Sequence, residues 1–200
     1  MKYILSSRQF GIFESDSDTD LGSYLIRYGI PVDQWGKGYA KTIEHLEKEI
    51  ESNECSLVDK NGTLVREIEF VMCEIFYKGL KLKEEKQTFK DGRERTRVKE
   101  SSMSEKMKIG EDPLNSLIRG IVEELGVVVR EDQLISDGSI NRESESGSFP
   151  GLTTRYIGHK YSCTFDESQY NPEGYVEHQK DKSTYFIWES FFFKKSFFSL

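Results

Sequence analysis

The sequence predicts an α/β fold of the α+β kind, a mixed sheet with helices, and three observations carry that expectation. Stretches rich in β-branched and aromatic residues run from Leu57 to about Lys99 and again from Gln133 to Ser190. Between them, Asp112 to Gly126 shows the periodicity and both end signals of one helix. A second helical pattern, near residues 38–53, precedes the strands. The predicted division is an N-terminal extension over residues 1–56, a main domain over 57–190 and a phenylalanine-rich tail over 191–200.

The acidic segment "SDSDTD" (Ser15 to Asp20) reads as a solvated loop or a phosphorylation target. "WGKGYAKTIEHLEKEIESNE" follows, and Tyr39, Ile43, Leu46 and Ile50 keep an i, i+4, i+7, i+11 rhythm that places a helix at about Gly38 to Asn53. This helix is expected to pack on the domain behind it. "TLVREIEFVMCEIFY" reads as one long or two short strands. Asp91-Gly92 favours a tight turn between strands at about Leu80 to Lys90 and Arg93 to Lys99. On the second of these, Arg93, Arg95 and Arg97 share a face, because strand side chains alternate. That stripe suits phosphate oxygens and equally suits a charged edge that deters aggregation. Later strands are read in "QLISDGSI", "TRYIGHKYSCTF" and "STYFIWES", with the polar "NRESESGSFPG" separating the first two. The tail "FFFKKSFFSL" suits a groove, a partner or a membrane surface.

Bulk properties exclude several classes. Two hundred residues suffice for a substantial core. A net charge of −7 gives no global basic field for nucleic acid or anionic membrane, although local basic stretches still suit phosphate. Cys55, Cys73 and Cys163 form no C-x-x-C pair and fit a reducing compartment. The start makes a poor signal peptide, and no stretch reaches the roughly 20 apolar residues of a membrane span. A cytoplasmic location follows as the expectation. His45, His159 and His178 stand apart without zinc-ligand spacing, and no G-x-S-x-G is present, so neither zinc nor a serine nucleophile is expected.

The central helix carries the chemistry. Asp112 is an N-cap, Pro113 fits the first helical position, and Gly126 closes the far end. Leu114, Leu117, Ile118, Ile121, Val122 and Leu125 form the expected buried stripe. Arg119, Gly120, Glu123 and Glu124 lie within one turn on the remaining face, and Glu111 sits just before the helix. Crowded carboxylates repel one another, and a divalent cation relieves the repulsion while bridging to substrate phosphates. An acidic solvent face is the plain alternative. A glycine in such a helix costs about 1 kcal/mol relative to alanine and asks for a reason.

The segment Glu105 to Val127 resembles the Nudix box, G-x5-E-x7-R-E-U-x-E-E-x-G-U with U aliphatic. Glu111, Arg119, Ile121, Glu123, Glu124, Gly126 and Val127 agree in register, and "KMKIGEDP" is similar to the K-x-x-x-G-E-x-P loop common in that family. Glu105 departs from the pattern where the first glycine belongs, and Gly120 where a glutamate belongs. The resemblance implies an α/β/α sandwich around a mixed sheet over residues 57–190, with the box as loop, helix and loop. It implies Mg2+ or Mn2+ as cofactor, Glu123, Glu124 and Glu111 as the metal-binding set, and Arg119 as orienting residue beside Glu123 and Glu124 in the catalytic group. With Gly120 lacking a side chain, a ligand or base is missing. Glu105 is one replacement to consider, and Glu167, Glu173 and Glu177 are others.

Two functions follow from the resemblance. One is a Nudix-fold protein with impaired or absent turnover that binds a phosphorylated small molecule or nucleotide, or a protein partner through the N-terminal helix or the tail. The other is an active Mg/Mn-dependent hydrolase of a nucleoside diphosphate linked to another moiety. An unrelated α+β domain with an accidental match is the plain third option.

Overall fold

The computed structural model describes residues 4–5, 20–97 and 101–191. Residues 15–19 of the acidic segment, residues 98–100 of the expected arginine strand and residues 192–200 of the tail lie outside them. The described residues form an α+β fold, a mixed sheet with a few helices. Two compact units divide the chain. The first takes residues up to 70, 106–113 and 139–159; the second takes 71–105, 114–138 and the residues from 160 on.

In the first unit, β1 (Ile4–Leu5) pairs antiparallel with β2 (Ser56–Lys60), and β2 with the start of β3 (Thr63–Tyr77). The tight Asn61-Gly62 turn between them needs positive φ at both residues, 56° and 85°. Helix α1 (Leu21–Arg27) was not legible in the sequence. Asp20 caps it by accepting the Ser23 N–H at 2.6 Å, and Leu21 and Leu25 are its buried residues. Helix α2 (Ile43–Glu51) starts later than the expected Gly38. Gly36 and Gly38 both take positive φ, and the Thr42 N–H donates to His45 Nδ1 at the true N-cap. Tyr39 therefore falls before the helix and is fully exposed.

The core of this unit gathers Leu46 and Ile50 of α2 with Leu21, Leu25, Trp35, Leu57, Leu64, Phe149 and Leu152. The turn at 146–152 is seated by three contacts. Trp35 Nε1–H donates to the Pro150 carbonyl at 2.9 Å, the Lys41 N–H donates to the Ser148 carbonyl at 2.8 Å, and Gly151 sits where a Cβ would meet Pro31 Cδ at 2.3 Å.

In the second unit, the end of β3 turns at Gly79 into β4 (Leu80–Phe89). β4 pairs antiparallel with β10 (Lys182–Ser190), and β10 with β9 (Tyr175–His178). Of the strand expected at Arg93 to Lys99, the described residues form β5 (Glu94–Arg95), paired with β4. β6 (Met103–Lys106) precedes α3 (Pro113–Leu125). β7 (Leu134–Glu145) and β8 (Thr153–Thr164) each contribute residues to both units. β7 runs through Asn141 to Glu145, read from sequence as a spacer; most of its residues are exposed, so it carries no apolar alternation to announce it. Among the described residues, no helix is long and apolar enough to cross a membrane.

Candidate functional site

Helix α3 begins at Pro113 and ends against Gly126, whose φ of 67° and N–H bond to the Val122 carbonyl at 2.9 Å close the last turn. Its buried face differs from the expected stripe. Leu117, Ile121 and Leu125 are buried as expected, but Ser116 and Gly120 join them, Leu114 and Ile118 are half-buried, and Val122 is exposed. The cause lies in strand β6. A Cβ at position 120 would stand 2.9 Å from both Glu105 Cβ and Met103 Cε. The helix carries a glycine there because the strand's side chains fill the space a larger residue would take.

Glu105 reaches over that glycine to its neighbour. Arg119 Nη1 donates to Glu105 Oε1 at 3.1 Å and to Glu123 Oε2 at 3.1 Å, and its Nη2 donates to Ser116 Oγ at 3.3 Å. Glu124, the next residue, is half-buried. The second unit thus brings Arg119, Gly120 and Glu123 together with Glu105. Glu111 belongs to the first unit, where its carboxylate accepts the Lys108 N–H at 2.9 Å and its own N–H returns to the Lys108 carbonyl.

These residues do not fit a divalent ion as they are arranged. Among the described residues, no three His, Cys, Asp or Glu side chains gather to hold a metal. Glu105 and Glu123 face a guanidinium, a fixed cation that gives one oxygen of each a charge-assisted hydrogen bond.

The three arginines of the expected phosphate stripe are engaged within their own hairpin. Arg93 pairs with Asp91, Arg95 donates to Gln87 Oε1, and Arg97 grips both oxygens of Glu84 at 2.9 and 2.7 Å. Glu84 and Gln87 are buried, so Arg97 and Arg95 satisfy polar groups on β4. Of the downstream carboxylates, Glu167 accepts from Lys78 Nζ at 2.6 Å and from Tyr77 Oη at 2.7 Å, and Lys78 first, then Tyr77, holds its carboxyl below the usual range.

Two features had no sequence signal. In the first unit the buried Glu49 carboxylate is bonded to Arg66, to Lys41 at 2.7 Å and to Lys106 at 3.0 Å. Burial pushes its carboxyl up, yet Arg66 and then Lys41 and Lys106 bring it down to about 2. In the second unit an open cavity of about 510 Å3 is lined by Cys73, Phe76, Asp137, Lys160 and Phe191 among others. Burial pushes the Cys73 thiol well up and Cys163 up to about 12, so neither is a thiolate nucleophile at neutral pH.

No family model matches the chain, and no curated protein does. Solved structures give faint likenesses. A mutator MutT protein from Bacillus halodurans aligns at 15% identity and TM-score 0.35 over 49% of this chain, and the match spans only 56% of that protein's length. A C. elegans Ap4A hydrolase binary complex aligns at 16% identity and TM-score 0.34, covering 62% of this chain and 80% of that one. The E. coli ORF135 protein aligns at 18% identity and TM-score 0.29, covering 62% and 74%. At scores this low, none of them defines this chain's activity.

Proposed function

We propose that the chain is a Nudix-type domain with a degenerate box that binds a phosphorylated small molecule or nucleotide with impaired or absent turnover. The observation that carries this reading is the filled position at Gly120. No carboxylate stands on the helix there, and the strand residue beside it is tied to Arg119. Losing one positioned acid or base lowers a rate by about 10²–10⁴, and losing a ligand also weakens a metal. The register of Glu111, Arg119, Glu123, Glu124 and Gly126 supports the kinship, together with the helix forming between Pro113 and Leu125. A cytoplasmic location accords with three free cysteines. A protein partner would dock through the tail rather than through α2, which spends Leu46 and Ile50 on the core of its own unit.

The second reading, an active Mg/Mn-dependent hydrolase of nucleoside diphosphate derivatives, draws on the retained Glu123 and Glu124. Phosphate release from a panel of such compounds with Mg2+ or Mn2+ separates the two. Binding to at least one compound without metal-dependent release is the expected result. Metal-dependent release that disappears in Glu124→Gln would replace this reading with the second.

A further inference from the structure

We propose that Glu105 and Gly120 are a reciprocal exchange. The strand has taken the side chain that the helix gave up, and Arg119 holds the transplanted carboxylate, so a built-in guanidinium rather than a divalent ion neutralises Glu105 and Glu123. The exchange rests on the register of the box given above and on the functional reading built on it, whereas the close approach of Glu105 to residue 120 and the Arg119 hydrogen bonds stand on packing alone.

The packing is specific. Both unusual residues of the segment meet each other, with Glu105 Cβ and Cγ at 2.9 and 3.2 Å from where a Cβ on residue 120 would stand. The two positions are coupled, because a side chain on residue 120 would overlap Glu105, and Met103 Cε closes the same space from 2.9 Å. The electrostatics follow from the position. A carboxylate on the helix at 120 would be one residue from Arg119 and on the helix's own turn. A carboxylate on β6 approaches from outside the helix and meets the Arg119 guanidinium, which also takes Glu123 one turn further along. Arg119 is thereby a positioning residue that fixes two carboxylates on one monovalent cation. Glu105 acts as its anchor.

The exchange is tested on the full chain with Glu105→Gly, Gly120→Glu and the two together. Gly120→Glu alone is expected to lower the melting temperature by several degrees, and adding Glu105→Gly is expected to recover part of that loss, with Met103 still beside residue 120. The double variant is also expected to bind Mn2+ at least about tenfold more tightly than the unmodified chain, read by electron paramagnetic resonance of the free ion. Melting shifts that simply add would overturn the packing half. Coupled shifts with unchanged Mn2+ affinity would overturn the electrostatic half. If Gly120→Glu fails to fold, Gly120→Ala carries the same cycle, since its Cβ alone meets Glu105. Turnover by the unmodified chain would sink the functional reading above without touching the coupling between the two positions.

Discussion

Two arginines in this molecule do similar work in different surroundings. Arg66 in the first unit is bonded to Glu49 with both side chains under a tenth exposed, whereas in the second unit Arg119 is 25% exposed, Glu105 29% and Glu123 57%. Burial changes what each pair contributes. Breaking a buried pair strands a charge away from water and costs about 3–5 kcal/mol. An exposed pair adds about 0–1 kcal/mol, because water screens it and two long side chains must be held still. The Glu49 cluster therefore secures α2 to β3. The Arg119 pair contributes little to global stability, and its consequence lies in which carboxylates it occupies.

Glu49→Gln leaves Arg66, Lys41 and Lys106 around a neutral amide and is expected to lose about 3 kcal/mol in urea unfolding at pH 7. Because the folded carboxyl lies near 2 and the unfolded one near 4.5, its contribution is full above the unfolded value and is lost as pH falls from 4.5 toward 2. The variant should lack that part of the acid-induced loss. An equal loss on acidification in both proteins would assign acid sensitivity elsewhere. A smaller effect is expected at Arg119→Gln, about 1 kcal/mol or less by the same unfolding measurement. A loss as large as that of Glu49→Gln would erase the distinction between the two regions.

What the sequence disclosed follows from how local each signal is. The ends of α3 were readable because Pro113 and Gly126 act through their own backbone. The start of α2 was misplaced because Tyr39 happens to continue the apolar rhythm, while the capping contact at Thr42 and His45 involves no apolar residue. Helix α1 has only seven residues, too few to establish a period, and β6 is four residues of which three are polar. The Glu49–Arg66 pair joins positions 17 apart through the fold, so no spacing rule points to it. At the candidate site the sequence displayed two departures from the box, Glu105 and Gly120, as separate facts. Only packing shows that one side chain sits in the space left by the other. Among the described residues, β5 ends at Arg95. Arg97, two residues beyond it, grips the buried Glu84, and no alternation of residues records that contact.

On the proposed reading, Arg119 rather than a divalent cation neutralises Glu105 and Glu123, and among the described residues no three such side chains gather to hold a metal. Titrating the unmodified protein with Mn2+, beside Glu124→Gln, tests it most directly. Weak binding, unchanged by the substitution, is the predicted result. Tight binding by the unmodified chain that is lost in Glu124→Gln would contradict the account.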